Sequence, residues 1–343
     1  MKVYIAAFNG EGGQGGVERV VAQQKNMLTN LGFEVILIDR NYFLLTRKIK
    51  SRKASLFLYP LIVSIFFNFK RIIRNKFLTI SHGYSCPFYK NDLLIAHGNM
   101  KCYFETINQT EIKNFSGSGI TAFYEKCSGR LSKKIWAVSK KVMQEWVDLY
   151  SVNTNKICVV RNYINIDKFN QLGPANSKEI IFVGRLEKGK GISELIDICT
   201  TLSGYTFHFV SSIAPTAELY ELSNVKISIG VSYESMPDIF KNAKVLILPS
   251  KYEGFELVTV ESLCCGTPVV GYNVGAIREL STENYCGVFM VNNKDDMISK
   301  IEYIMSLPDR EYHNLRMNIY NNRDVFSDVC YMELLKKEFR CGN

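Results

Sequence analysis

The chain has 343 residues, 47% hydrophobic and 22% charged, with a net charge of +9. This is the balance of a soluble globular protein of two ordinary domains, and it excludes a largely disordered chain. Ten cysteines form no C-x-x-C pair and sit mostly in apolar runs (Cys158, Cys199, Cys264, Cys265), while the histidines at 82, 97, 208 and 313 show no ligand spacing with them. Neither a disulfide framework nor a zinc site is expected, and without a signal peptide before the first strand at Val3 the thiols read as reduced and cytosolic.

The charge is divided unevenly. Residues 1–170 hold 25 Lys and Arg against 11 Asp and Glu, a surplus of 14, whereas residues 171–343 hold 17 against 22. Two domains are implied, the first facing an anionic partner.

In chain order, Val3–Phe8 reads as an apolar strand, followed by a glycine-rich turn over Gly10–Gly16. A helix then repeats Val17, Val20, Val21, Leu28 and Leu31 with a helical period, Gly32 ends it, and Phe33–Asp39 is the next strand. Gly10-x-Gly12-x-x-Gly15 matches the dinucleotide fingerprint, with Asp39 at the second strand's end. Any tight turn selects glycine, but Gly12, Gly13, Gly15 and Gly16 together exceed that need and point to a loop approached by phosphate. No Lys-Ser/Thr follows, so it is not a Walker A loop.

Residues 41–76 are basic, then apolar from Leu56 to Phe69, then basic again. Eleven basic residues and no acidic one lie between Asp39 and Asp92. An apolar stretch broken by Tyr59, Pro60 and Asn68 falls short of the roughly 20 residues of a membrane span. The expectation is an interfacial segment docking on an anionic membrane; a buried crossover helix with a solvated basic edge is the plainer alternative.

Strands follow at Phe77–Ser81, Leu93–His97, Lys134–Val138 and Ile157–Arg161, two of them leading into histidines, His82 and His97. Residues 166–178 lack periodicity and contain Gly-Pro and Asn-Ser, so the linker is placed there. The second domain reads as strands at Glu179–Val183, Thr206–Val210, Val225–Ile229, Lys244–Leu248, Pro268–Tyr272 and Gly287–Met290, with helices between. Such alternation implies parallel sheets covered on both faces. The expected domains are 1–165, 179–325 and a terminal helix over 326–343 that packs back on the first domain.

Two motifs of the second domain carry chemistry. Val183-Gly184-Arg185-Leu186 with Lys190-Gly191 puts two cations at the carboxyl end of that domain's first strand, suited to hold a departing diphosphate. After Lys244–Leu248, a loop carries Glu253, a helix expected to begin near Phe255 carries Glu261, and free N–H groups at the helix start favour an anion.

In order along the chain, the glycine turn, "AVSKKV", "GRLEKGKG", "PSKYEGFELVTVESLCCGTPVV" and "GAIREL" resemble the retaining glycosyltransferases of family 4. The resemblance covers nearly the whole chain, most specifically residues 180–280. It implies the GT-B architecture, an α/β fold of two Rossmann-like doubly wound parallel-sheet domains facing across a cleft, the first binding acceptor and the second the nucleotide-sugar donor. Glu253 and Glu261 match the family's paired glutamates, implying that Glu261 binds the ribose and Glu253 the donor sugar. Gly184 and the backbone of Gly254, Phe255, Glu256 and Leu257 would approach sugar or phosphate, and Arg185 and Lys190 would hold the diphosphate. Gly15 and Gly16 would lie near the donor, and Gly13, Gly16 and His97 near the acceptor. His97, Arg185, Lys190 and Glu253 are the candidate catalytic residues, with His82 the competitor of His97.

The implied activity is sugar transfer from a UDP- or GDP-sugar to a hydroxyl of a lipid-linked or envelope glycan, at the inner face of the membrane. No Asp-x-Asp metal motif lies at a strand end, so neither metal nor cofactor is expected. A nicotinamide dehydrogenase gives no role to Arg185, Lys190, Glu253 and Glu261, and the apolar interleaving of the basic run disfavours a nucleic-acid binder. An epimerase or phosphorylase of the same architecture is the nearest alternative.

Overall fold

The computed structural model describes residues 1–12, 15–73, 76–110, 116–174 and 176–340. They form two compact units, one of Met1–Asn162 with Val329–Asn343, the other of Tyr163–Asp328.

The first unit contains β1 (Lys2–Ala6), α1 (Gly16–Asn30), β2 (Glu34–Ile38), α2 (Leu44–Arg47), α3 (Arg52–Ile72), β3 (Phe77–His82) and β4 (Leu93–Ala96). It continues with α4 (Met100–Asn108), α5 (Gly117–Leu131), β5 (Lys134–Ala137), α6 (Lys140–Tyr150) and β6 (Ile157–Val159). The strands form one parallel sheet in the order β2-β1-β3-β4-β5-β6, with Ile5 paired to Leu37 on one side and Ile80 on the other. Near-continuous apolar runs such as Val3–Ala6 and Leu93–Ala96 are buried, as central strands covered on both faces must be.

The second unit contains β7 (Glu179–Val183), α7 (Ile192–Thr201), β8 (Thr206–Ser211), α8 (Ala217–Tyr220), β9 (Val225–Ile229), α9 (Met236–Asn242) and β10 (Ala243–Leu248). After these come α10 (Leu257–Cys264), β11 (Val269–Tyr272), α11 (Gly275–Thr282), β12 (Val288–Val291), α12 (Lys294–Ser306) and α13 (Asp309–Asn321). Its sheet is also parallel, in the order β12-β11-β10-β7-β8-β9. Every strand expected from periodicity is present, displaced by no more than two residues at an end.

Each sheet reverses its winding once. In the first the reversal lies between β1 and β3, in the second between β7 and β10. Loops leaving the carboxyl ends of such neighbours depart to opposite sides and open a crevice there.

The last helix, α14 (Asp328–Arg340), packs on the first sheet. The Tyr331 ring meets Trp136 edge-on at 5.3 Å, Phe339 meets Phe33 at 6.3 Å, and Glu338 pairs with Lys134. The basic and apolar segment becomes the 21-residue α3. One face, with Tyr59, Val63 and Phe67, packs into a cluster with Tyr4, Phe8 and Ile38, and the Tyr59 hydroxyl donates to the Ile38 carbonyl at 2.6 Å. Its other face leaves Phe57, Ile65, Phe69 and Ile72 exposed. By length and composition α3 suffices to cross a membrane, though a third of its most apolar window is buried within the protein. One face of the segment is thus buried as a crossover helix would be, and the other presents exposed apolar side chains.

The segment 166–178, expected as a linker, is packed into the second unit, and the division falls at Asn162/Tyr163. The Asn165 side chain accepts from the amides of Asp167 and Lys168, closing a 3₁₀ turn that buries Phe169 against Tyr233 and Phe240. Arg316 of α13, fully buried, donates to the carbonyls of Pro174, Lys241 and Cys265 at 2.9–3.0 Å. Its guanidinium ties this segment to the end of α9 and to the turn after α10. Replacing it by an apolar side chain strands three acceptors, each worth about 1–3 kcal/mol. Arg316→Met is expected to destabilise the second unit by about 3 kcal/mol in urea unfolding; a loss below about 1 kcal/mol would show that water replaces the guanidinium.

Candidate functional site

At the reversal point of the second sheet, the loops after β7 and β10 touch backbone to backbone. Gly191, with φ of +79°, lies where a Cβ would overlap the Pro249 carbonyl, and the Lys251 amide donates to the Gly189 carbonyl at 3.0 Å. This contact brings Lys190 and Glu253, 63 positions apart, into an ion pair. Arg185, half exposed, leaves β7 through Gly184, whose amide still donates to the Val210 carbonyl at 3.0 Å. It pairs with Glu187 at 2.8 Å, and Lys251 pairs with Glu194 at 3.2 Å. Cations and carboxylates alternate along this edge.

The helix after Glu253 begins at Leu257, two residues later than expected, because Glu256 remains extended. The reason is a bond the sequence conceals. The buried Glu256 carboxylate accepts from the amides of Ala276 and Ile277 at 2.8 and 3.3 Å and from the Thr259 hydroxyl at 2.8 Å, so it caps α11. Burial, reinforced by the Glu253 charge, pushes the Glu256 carboxyl up to about 7. Its side chain is thus committed to the fold, and a donor could meet Glu256 only through its backbone. Gly275 abuts both glutamates, and a Cβ there would overlap the Glu256 carboxylate. Gly254, Phe255 and Leu257 are buried in the same turn, and no side chain caps α10. Glu261, on the second turn of α10, is enclosed and accepts from the Tyr233 hydroxyl at 3.2 Å.

In the first unit, the turn after β1 faces the reversal point of its own sheet. Gly10, with φ of +60°, packs against Asp39, whose carboxylate accepts from the Asn41 amide at 2.9 Å. Asp39 therefore serves its own turn. Gly15 precedes α1 and abuts the Glu18 carboxylate, whereas Gly16 has open space around it. Gly13 lies outside the described residues.

His82 and His97, read from the sequence as competitors, are hydrogen-bonded partners. His82 Nδ1 lies 2.8 Å from His97 Nε2, with the rings nearly parallel. Burial holds His97 down to about 4, and burial followed by the His97 charge holds His82 well below the usual range. Both rings are neutral at pH 7. Sequence reasoning missed Glu125 of α5, which is buried and accepts from the Met100 amide at 2.8 Å and the Tyr150 hydroxyl at 2.9 Å. Burial raises it to about 8. It fixes the start of α4 just beyond His97 and Gly98. A lone Glu in a helix of mixed polarity gave no sign of this.

Residues 164–323, nearly the whole second unit, match the family described as glycosyl transferases group 1. Among curated relatives, an uncharacterized 41.2 kDa protein in the cps region of Klebsiella pneumoniae is 32% identical over 157 residues, 42% of this chain and 44% of that protein. The O-antigen chain mannosyltransferase RfbU of Salmonella typhimurium is 25% identical over 252 residues, 68% of this chain and 67% of that protein. Among solved structures, the sucrose-phosphate synthase of Thermosynechococcus elongatus superposes with a TM-score of 0.82 at 16% identity, covering 99% of this chain and 98% of that one. WaaG, a glycosyltransferase involved in lipopolysaccharide biosynthesis, gives 0.75 at 14% identity, and Anabaena HepE in complex with UDP-glucose gives 0.70 at 14%, each covering both chains fully. The fold is therefore that of the GT-B glycosyltransferases.

The buried groups set the pH response of the first unit. His97, with its folded value below the unfolded 6.5, contributes stability present above pH 6.5 and lost as pH falls toward 4. Glu125, raised from 4.5, contributes stability present below pH 4.5 and lost as pH rises through about 8. In urea unfolding, His97→Gln is expected to lose about 2 kcal/mol less than the parent between neutral and acid pH. Glu125→Gln should instead flatten the fall in stability between pH 4.5 and about 8. Curves parallel to the parent's would mean that these groups are solvated.

Proposed function

We propose, from the match of residues 164–323 to the glycosyl transferases group 1, that the chain moves a sugar from a nucleotide-sugar donor to a hydroxyl of an envelope glycan, with retention at the anomeric carbon. The observation that carries this reading is the ion pair of Lys190 with Glu253 at the reversal point of the second sheet, with Arg185 on the same loop after β7 and the start of α10 without a side-chain cap.

In this reading the donor diphosphate exchanges places with carboxylates. It recruits Arg185 and Lys190 from Glu187 and Glu253, and the amides from Gly254 to Leu257 take its remaining oxygens. Released from Lys190, Glu253 accepts hydroxyls of the donor sugar. The ribose takes the place of the Tyr233 hydroxyl on Glu261. The bond from the anomeric carbon to the diphosphate breaks, the acceptor oxygen bonds to that carbon on the same face, and its proton passes to the leaving phosphate. Arg and Lys carry the developing charge, so this reading requires neither metal nor cofactor. The first unit, through Gly16 and His97, receives the acceptor. That HepE was solved with UDP-glucose supports a nucleotide-sugar donor, and the names of RfbU and WaaG support an O-antigen or lipopolysaccharide acceptor.

We further read α3 as the membrane contact, at the inner face. Phe57, Ile65, Phe69 and Ile72 project from one side, Leu44 and Leu45 are exposed on the short α2, and Arg47, Lys48, Lys50, Arg52 and Lys53 are exposed between and around them. Apolar anchors flanked by cations of one sign match an anionic bilayer surface.

Three experiments test these statements. A panel of nucleotide sugars is screened for transfer, and the configuration of the product is read by NMR. Lys190→Ala should lower kcat by about 10²- to 10³-fold; undiminished turnover at saturating donor would remove Lys190 from the mechanism. Product formed without acceptor, or only with free phosphate, would replace transfer by epimerisation or phosphorolysis. In co-sedimentation with anionic vesicles, the double variant Phe69→Glu, Ile72→Glu should bind at least about tenfold more weakly than the parent. Equal binding would place the membrane contact elsewhere.

A further inference from the structure

Four side chains from four elements of the first unit form one line of hydrogen bonds. It runs from His97, after β4, to His82 at the end of β3, then to Gln24 of α1 and Tyr331 of α14. His97 Nε2 lies 2.8 Å from His82 Nδ1, His82 Nε2 lies 3.1 Å from Gln24 Oε1, and Gln24 Nε2 donates to the Tyr331 hydroxyl at 2.8 Å. Gln24 is fully buried, and His82 and Tyr331 nearly so. No element of the proposed reaction explains why three polar side chains lie beneath His97.

The line has a direction. A carbonyl oxygen only accepts, so His82 carries its proton on Nε2 and donates it to Gln24. A neutral imidazole has one N–H, which leaves the Nδ1 of His82 as a lone pair. His97 must then donate from Nε2, since the opposite tautomer would set two lone pairs against each other. One acceptor is left over at the near end, the Nδ1 of His97, which has no partner among the described residues. At the far end the Gln24 amide donates from Nε2 to the Tyr331 hydroxyl, which leaves its Oε1 turned to His82. Burial keeps both rings neutral, so no second proton disturbs it.

We propose that Gln24, His82 and Tyr331 are positioning residues that lock His97 in its Nε2–H tautomer, so that His97 Nδ1 receives the hydroxyl of a sugar bound at the carboxyl edge of the first sheet. This rests on the transfer reading above and deepens it. A neutral lone pair attracts an O–H and repels a phosphate oxygen, so His97 selects the hydroxyl-bearing part of a ligand over its anionic part. The terminal helix, through Tyr331, is thereby part of the device.

The test uses the full chain labelled with ¹⁵N-histidine. Long-range proton–nitrogen correlation distinguishes protonated from unprotonated ring nitrogens, and four histidines keep the spectrum assignable. The expected result is Nε2–H on both His82 and His97, with mixed tautomers in Gln24→Leu, which lacks the starting acceptor. A proton on His97 Nδ1 in the parent, or an unchanged pattern in Gln24→Leu, would overturn the proposal. Kinetics supply a second readout. His82→Phe keeps a ring but removes the acceptor for His97, and should lower kcat about tenfold with donor KM unchanged. His82→Asn restores an acceptor near the Nδ1 position and should recover to within about threefold. Equal losses in the two variants would reduce His82 to a packing role. If no nucleotide sugar is turned over at all, the transfer reading fails, while the nitrogen shifts still decide the tautomer.

Discussion

Gly191 against the Pro249 carbonyl is the contact from which the rest of the candidate site follows. Strands β7 and β10 are neighbours whose following segments leave in opposite directions, so their loops would separate unless something joined them. A missing Cβ allows the backbones to touch, and the bond from Lys251 to Gly189 closes the seam. Lys190 and Glu253 then meet. The resulting edge is internally neutralised, with Arg185 on Glu187 and Lys251 on Glu194. Opposite charges held in pairs at a partly exposed edge cost little to keep and are available for exchange when a stronger anion arrives.

Glutamates one helical turn apart have different fates here for a physical reason. Glu253, in the loop, keeps partial exposure and a cation partner. Glu256 turns inward and satisfies the first amides of α11, which would otherwise be orphaned in a buried place. Glu261, still further along, is enclosed on the second turn of α10. Capping α11 from within leaves the start of α10 free of a side-chain cap, so the donor amides the transfer reading needs belong to α10 alone.

The first unit solves a different problem. Its sheet must be covered, yet the segment covering one face also carries cations and exposed aromatic and aliphatic side chains. Helix α3 meets both demands by being apolar on two sides, one packed through Tyr59 and Phe67, the other open through Phe69 and Ile72. On the same sheet, the α14 contacts of Tyr331 with Trp136 and Gln24 show the chain's end serving its beginning.

What the amino-acid order determined by itself was the period-governed part: twelve strands, their parallel pairing, and the placement of Arg185, Lys190 and Glu253 in the segments that follow strands, with Glu261 on the helix after them. These are local signals, since alternation, turn chemistry and spacing along one loop need no knowledge of distant residues. Only the tertiary structure decided which groups meet across long separations. It joined His82 to His97 and Gln24 to Tyr331, assigned Glu256 to α11, and packed the supposed linker through Phe169 and Arg316. A buried polar side chain takes whichever partner the folded backbone sets within about 3 Å, and nothing in the intervening sequence specifies that distance.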